Sequence, residues 1–366
     1  MRTQGEIRNI CAKFVVYGDF LVAVPFGTGH INDTYQVTYD QGGIRLHYTL
    51  QRINHMVFTD PRRVMENIDR VTQHLLRKIH QKRVETRRRT VRLLRTFADL
   101  PYVQADDGTF WRMYIFVEHA RSYDVLENEA QAFCIAKAFG EFQCDLTDLP
   151  GPRLHETIPD FHNTPRRIEH LEKALKEDRA GRAKEVQREV DFIMQRKDET
   201  GLLLKLNASG DIPERITHND TKANNILIDD LSGEGICVID LDTVMPGLAL
   251  YDFGDMVRSG TTPAEEDEVD LSKVYMQYSM FEALLRGFFS SCREFLTEAE
   301  REYLPFSGKL ITLEIGIRFL TDYLNGDVYF KIRRPGQNLD RCRNQLKLVV
   351  SMEEQMDRML GLLNTL

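Results

Sequence analysis

The run His218-Asn219-Asp220-Thr221-Lys222-Ala223-Asn224-Asn225 constrains the fold of this 366-residue chain more than any other stretch. An apolar strand follows at 226–229, then a turn at Ser232-Gly233, then a second strand at 236–241 carrying Val238-Ile239-Asp240. A hairpin of that form returns Asp240 beside Asn225. Phosphoryl transfer asks for such a set, because its demands are positioning and charge rather than covalent chemistry. Asp220 is expected as the base that takes the acceptor hydroxyl proton, and Lys222 as the cation facing the migrating phosphate. Asn225 and Asp240 supply oxygen ligands for Mg²⁺. The order Asp, Lys at +2 and Asn at +5 matches the catalytic loop of kinases.

A second acidic cluster, Tyr251-Asp252-Phe253-Gly254-Asp255, spells the triplet that holds the metal in protein kinases. Asp252 lies 32 residues past Asp220 and follows no apolar strand, whereas Asp240 lies 20 past and follows one. Asp252 is therefore expected as a brace that accepts backbone N–H groups of the catalytic loop. Asp255 is kept as a candidate substrate contact.

The first 118 residues look like a small sheet with one inserted helix. Residues 14–24 and 33–39 are β-branched and aromatic and flank Gly27-Thr28-Gly29, which reads as a hairpin. Residues 46–53 form a third expected strand, and 91–97 and 110–118 two more. Val64, Ile68, Val71, Leu75 and Ile79 recur at helical spacing after Asp60-Pro61. The glycine loop stands where a kinase folds backbone over ATP phosphates, so Gly27, Thr28 and Gly29 are candidate nucleotide contacts. It is neither a Walker A loop nor a dinucleotide fingerprint, since no G-K-[ST] follows and the next element is a strand. The third strand offers no lysine. Arg52 is the candidate cation there, Glu66 on the inserted helix its expected partner, and Glu118 at the connector a further nucleotide contact.

Beyond 118 the texture becomes helical, from Ala130–Gln143 through a pair within 166–200 to a long run from about 272 to the end. The fold class expected is α+β: a bilobal protein-kinase-like fold, with a β-rich N-terminal lobe at 1–118 and a larger helical C-terminal lobe at 119–366. The connector falls at about 117–122.

Composition removes several alternatives. The formal charge of −8 disfavours a polyanionic partner, and the nine Lys/Arg plus His80 in 77–95 read as a solvated face rather than a nucleic-acid site. Glu265–Glu268 reads as a solvated loop. No apolar run is long enough to span a bilayer, and 1–18 lacks a signal-peptide pattern, so a cytoplasmic protein without membrane partners is expected. Six scattered cysteines without metal-ligand spacing read as reduced thiols. Nothing here speaks to oligomeric state.

Several longer strings carry a family resemblance. They are Gly29-His30-Ile31-Asn32-Asp33-Thr34, Leu50-Gln51-Arg52-Ile53-Asn54, Glu156 through Pro165 (ETIPDFHNTP), the catalytic run, Cys237 through Gly247 (CVIDLDTVMPG), and Ile317 through Leu324 (IRFLTDYL). The chain resembles the aminoglycoside phosphotransferase superfamily, and within it the N-acetylhexosamine 1-kinases, from about residue 15 to 360. The resemblance implies ATP-dependent phosphorylation of the anomeric hydroxyl of N-acetylglucosamine or N-acetylgalactosamine. It implies Asp220 as base, Asn225 and Asp240 on Mg²⁺, and Arg318 in the sugar pocket with His30 and Tyr329. Arg318 on an otherwise apolar helix is also a charge that needs a partner, and an ion pair with an aspartate is the competing reading.

The runner-up is a kinase of another small alcohol, such as an aminoglycoside, choline, homoserine or another sugar. A pseudokinase is disfavoured because no base or metal ligand is missing. A protein kinase is disfavoured because only twelve residues separate Asp240 from Asp252 and no A-P-E follows.

Overall fold

The computed structural model describes residues 2–27, 31–82 and 88–366. Its N-terminal lobe is a five-stranded antiparallel sheet in the order β1-β2-β3-β5-β4. The strands are β1 (Asp19–Pro25), β2 (Asp33–Gln41), β3 (Ile44–Ile53), β4 (Val103–Gln104) and β5 (Phe110–Ile115). Alternation along these strands divides the residues between two faces. Tyr35, Val37, Tyr48, Leu50, Trp111 and Met113 bury the outer face under helix α1 (Gln4–Cys11), whose start is marked by the Thr3–Glu6 capping box.

Helix α2 (Pro61–Gln81) covers part of the inner face. Asp60 caps it by accepting from the Arg62 and Arg63 amides, and Pro61 stands at the first turn, where its missing N–H costs nothing. Val64, Met65, Ile68, Val71 and Leu75 pack against Ile53, Phe110 and Tyr114, and also against Leu241 and Val244 beyond the catalytic run. The buried Asn67 amide spans both sides. It donates to the His155 and Val244 carbonyls (2.8 and 3.0 Å) and accepts from the His155 amide (3.0 Å).

Two short sheets open the C-terminal lobe: β6 (Ala120–Arg121) with β8 (Ile226–Asp229) and β9 (Gly235–Val238), and β7 (Arg215–Thr217) with β10 (Met245–Gly247). The helices are α3 (Glu129–Asp145), α4 (Thr164–Glu177), α5 (Gln187–Met194), α6 (Leu202–Ser209), α7 (Ala249–Gly260), α8 (Tyr278–Cys292), α9 (Glu298–Glu302), α10 (Leu304–Leu324), α11 (Gln337–Glu354) and α12 (Met356–Leu363). The α+β bilobal architecture expected of the sequence is therefore present, with a β-rich N-terminal lobe and a larger helical C-terminal lobe. Among the described residues no helix is long and apolar enough to cross a membrane.

Two local expectations need correction. Residues 91–97 form no strand; an isolated bridge joins Leu93 to Tyr114 of β5, and another joins Thr96 to Phe14 ahead of β1. The last helix, expected to carry Leu346, Val349, Met356, Leu360 and Leu363 together, breaks at Gln355 into α11 and α12. Four cations of the basic stretch pair across the lobes: Lys78 with Asp148, Lys82 with Asp145, Arg88 with Asp229 and Arg89 with Glu234.

Candidate active site

The catalytic run leaves β7, makes one tight turn and enters β8. The turn is Asn219, whose φ of 64° is tolerated because asparagine accepts the left-handed region better than most residues. Its side chain donates to the Thr243 carbonyl (2.9 Å) and so ties the loop to the segment behind Asp240. From below, Asp252 on α7 accepts the His218 amide (2.9 Å) and the Gln143 amide group (2.6 Å) on one oxygen, and the Asn219 amide (2.7 Å) on the other. These are the backbone bonds expected of a brace. Gly254 in the same triplet serves packing: an added methyl would lie 2.5 Å from the Ser307 carbonyl oxygen, where α7 crosses α10.

Asp220 turns outward from this base with its side chain 29% exposed. Lys222 Nζ stands 3.2 Å from Oδ1, and the Asn225 amide donates to the Asp220 carbonyl (2.7 Å) and to Oδ2 (3.1 Å). Loss of water raises the carboxyl's pKa, but the charges of Lys222 and His218 outweigh it and hold it below the ordinary carboxylate value. Asp220 in turn raises the Lys222 pKa, so both groups stay charged.

The β8–β9 hairpin pairs Ile226 with Val238, and the Ile239 amide donates to the Asn225 carbonyl (2.9 Å). Asp240 therefore comes next to Asn225, itself in a left-handed conformation (φ 57°) that is strained for a residue with a side chain. Among the described residues the Asp240 carboxylate accepts no hydrogen bond and makes no ion pair, and the charges of Arg112 and Lys222 act on it only weakly. Loss of water, then the charges of Asp242 and Asp220, push its pKa up to about 6. The Asn225 amide nitrogen is committed to Asp220, which leaves its carbonyl oxygen for a ligand. An unpaired carboxylate and a free carboxamide oxygen, both hard donors, suit Mg²⁺, which takes few protein ligands and completes its shell with water and phosphate. No larger His, Cys, Asp or Glu cluster able to hold a metal occurs among the described residues.

The cation on the inner face of the small sheet is not Arg52. In the register of β2 and β3, Arg52 stands opposite Asp33 and pairs with it (2.6 Å), on the same face as Leu50 and Tyr48. Glu66 pairs instead with His155 (2.9 Å). Strand alternation separates the two expected partners. The inner face presents Gln51 and, next to it on β5, Arg112. Arg112 has 0% side-chain exposure, pairs with Asp242 and donates from Nε to Gln51 Oε1 (2.9 Å). Burial alone would lower its pKa; the facing Asp242 carboxylate reverses that and keeps it charged. Asp242 Oδ2 also accepts from the Asn32 amide (2.6 Å), and the Asn32 carbonyl oxygen accepts from the Asn54 amide (3.0 Å). The end of the glycine loop, β3, β5 and the Asp240 segment thus meet on one carboxylate. A lone arginine inside the apolar stretch FWRMYIF was the available signal for it.

Gly27 (φ 81°) closes β1, while Thr28, Gly29 and His30 lie outside the described residues. Glu118 Oε1 accepts from His47 Nδ1 (2.7 Å), beside Phe116 and Phe26, whose rings stand 5.4 Å apart. Asp255 is buried behind the loop and bound to Arg258 Nε (2.7 Å) rather than open to the cleft. Glu266, read from the sequence as solvated, contacts Arg258 (3.2 Å) and Arg341 (3.6 Å).

Arg318 makes no ion pair among the described residues. Its guanidinium instead lies 5.2 Å from the Phe161 ring, 5.8 Å from Tyr329 and 5.5 Å from Phe330. The loop carrying Tyr329 and Phe330 is folded around Asp322, which accepts the amides of Val328, Tyr329 and Phe330 (2.9, 2.8 and 2.9 Å). Phe161 precedes His162, which contacts the Asn219 carbonyl (3.1 Å), so this aromatic box adjoins the catalytic loop.

A sequence profile described as the phosphotransferase enzyme family (APH) matches residues 22–275. The chain belongs to this family. The matched span runs from β1 to just before α8 and includes the catalytic run and Asp240, while Arg318 and its box lie beyond it. Solved structures share the fold over nearly the whole length. An aminoglycoside phosphotransferase from Alicyclobacillus acidocaldarius subsp. acidocaldarius DSM 446 is 13% identical, with 98% of this chain and 96% of that one covered and a TM-score of 0.62. The microcompartment-associated aminopropanol kinase is 13% identical over 97% and 98%, with a TM-score of 0.58. A spectinomycin phosphotransferase in complex with ADP and spectinomycin is 12% identical over 98% and 99%, with a TM-score of 0.57. Similarity at these identities is one of fold.

Proposed function

We propose that this phosphotransferase is an ATP-dependent kinase of a small alcohol, and that its acceptor is the anomeric hydroxyl of an N-acetylhexosamine. The observation that carries the reading is the Asp220 carboxylate: ionised, partly exposed and held by Lys222 and Asn225 next to the unpaired Asp240. Asp220 accepts the proton of the acceptor hydroxyl as its oxygen attacks the γ-phosphorus of ATP, and ADP leaves. Lys222 lies where it can move from Asp220 to the transferring phosphate. Asn225 and Asp240 would hold Mg²⁺, which neutralises phosphate charge. Phe26, Phe116 and His47 offer an apolar edge for the base of the nucleotide near Glu118, and Gly27 opens the loop expected over its phosphates. In the same reading the ATP-binding lobe ends at 118, the connector is 117–122, and the catalytic lobe begins at 119.

The choice among acceptors rests on the resemblance in the 156–165 and 317–324 strings and on the character of the Arg318 box. Three aromatic rings suit the C–H face of a sugar, and an unpaired guanidinium suits its hydroxyl and amide oxygens. The same guanidinium opposes a cationic acceptor of the aminoglycoside, aminopropanol or choline kind, which is what favours the neutral amino sugar over the second reading. The test is ADP release with a panel of hexosamines, N-acetylhexosamines and amino alcohols. Acceleration by N-acetylglucosamine or N-acetylgalactosamine supports the proposal; acceleration only by an amino alcohol replaces the acceptor. Asp220→Asn should abolish turnover while Mg-ATP still binds, and undiminished turnover would remove Asp220 as base.

A further inference from the structure

The string Glu156–Pro165 was singled out in the sequence, yet phosphoryl transfer as set out above uses none of its polar side chains. The structure puts His162 and Thr164 of that string around one carboxylate. Glu314, fully buried on α10, receives His162 Nδ1 on Oε1 (2.9 Å) and the Thr164 hydroxyl on Oε2 (2.6 Å). The other ring nitrogen of His162, Nε2, faces the carbonyl oxygen of Asn219 (3.1 Å). The ring is itself enclosed, lying 4.7 Å from Phe161 and 4.9 Å from Tyr251 between centroids.

A carboxylate and a main-chain carbonyl only accept hydrogen bonds. A ring with acceptors at both nitrogens must donate from both. Burial would raise the pKa of Glu314, but the facing His162 outweighs it and lowers it, in keeping with a charged pair. The Asn219 carbonyl belongs to the peptide that joins Asn219 to Asp220. Asn219 holds a positive φ, a conformation that persists only where surrounding bonds over-determine it. Asp252 grips the amide side of this turn, and His162 grips its carbonyl side.

We infer that His162 is a positioning residue for Asp220: anchored by Glu314, it donates from both ring nitrogens and fixes the Asn219–Asp220 peptide from the α10 side. The inference rests on the reading of Asp220 as base. It also gives a route from acceptor pocket to catalytic loop, because Phe161 is the residue before His162 and Arg318 lies one helical turn beyond Glu314.

Two substitutions divide the two bonds. The amide nitrogen of asparagine falls near Nδ1 of histidine, so His162→Asn keeps the Glu314 contact and loses the Asn219 carbonyl. Glutamine reaches the Nε2 position, so His162→Gln keeps the carbonyl and weakens the Glu314 contact. Three readouts apply to both variants and the wild type: steady-state kinetics, amide hydrogen exchange over 218–222, and denaturation midpoint. Imidazole ¹⁵N resonances of the wild type add a fourth. His162→Asn should lose kcat by ~10-fold or more with little change in either KM, as expected when the reacting group is misplaced rather than binding lost. Exchange at 218–222 should quicken in that variant. His162→Gln should hold kcat within ~3-fold of wild type despite a lower midpoint. Two protonated nitrogens should be seen for His162. Equal kcat losses in both variants, losses that follow the midpoint, unchanged exchange in His162→Asn, or a single ring N–H would each overturn the inference. If the wild type turns over no acceptor, the kinase reading fails, and exchange and resonances still decide the positioning role.

Discussion

Arg112 on β5 and Asp242, 130 positions apart, form a fully buried ion pair that joins the small sheet to the segment carrying Asp240. Kinases of this fold ordinarily place a lysine on the third strand and a glutamate on the helix beside it. Here β3 contributes Gln51 to the arginine of its neighbour, and the acid comes from the opposite lobe. The charge on the inner face is retained, while its partner is two residues from a proposed metal ligand.

The first prediction concerns that pair. Removing one partner leaves an uncompensated charge with no water, so Arg112→Met and Asp242→Asn should each lower stability by ~3 kcal/mol or more. The double variant Arg112→Met/Asp242→Asn should recover much of this, because both charges then go. Urea denaturation of the four proteins closes the cycle; a double variant whose loss equals the sum of the singles would mean the two residues are not coupled. Arg52→Ala is the control, since its pair with Asp33 is open to solvent and worth under ~1 kcal/mol.

How much of this was legible beforehand depended on sequence distance. The catalytic run and the β8–β9 hairpin lie within 23 consecutive residues (218–240), so spacing alone brought Asp220, Lys222, Asn225 and Asp240 together. Arg112–Asp242 and His162–Glu314 are joined only by tertiary packing, 130 and 152 positions apart, and local patterns carry no record of such pairs. The pairing of Arg52 with Glu66 failed on parity, because one step along a strand exchanges faces. Helix α7 escaped notice for a different reason. Every residue in it except Ser259 is buried, and its polar positions at helical spacing, Asp252, Asp255 and Arg258, serve the catalytic loop and an internal ion pair rather than a solvated face.

A second prediction tests the brace. Asp252→Asn preserves shape but replaces one oxygen with an amide N–H₂, which then faces either the Asn219 amide or the His218 amide with Gln143, where only an acceptor fits. The mismatch should cost ~1–3 kcal/mol of stability. With the turn at Asn219 loosened, kcat should fall by ~10-fold or more. Kinetics and thermal denaturation measured together separate the two effects. Full activity in a destabilised protein would show that Asp252 supports the fold without setting the loop.

Arg318 gives the third. Its guanidinium has rings on several sides and no carboxylate partner among the described residues, so its removal leaves no buried charge behind. Arg318→Ala should therefore be close to neutral for stability, apart from lost cation–π contacts of ~1 kcal/mol each at most. If the box receives the acceptor, KM for the acceptor should rise ~10-fold or more while KM for ATP stays within ~2-fold. A rise confined to ATP would place the acceptor elsewhere.

The fourth prediction is an acid limb set by Glu314. Its pKa is lowered in the folded protein, where His162 faces it, Thr164 donates to it and Arg167 lies near. A carboxylate whose folded pKa is below its unfolded value binds fewer protons when folded. It contributes stability in full above the ordinary value of 4.5, and that contribution drains away as pH falls through the lower folded value. Tyr251, whose hydroxyl is pushed upward by burial and by Glu314, stays neutral throughout this range and does not offset the loss. Glu314→Gln has no such charge to lose. Unfolding free energies between pH 7 and pH 3 should decline more steeply in the wild type than in Glu314→Gln, with the difference developing below 4.5. Parallel curves would mean that the carboxylate is as easily protonated in the fold as out of it, which its three close donors and neighbours argue against.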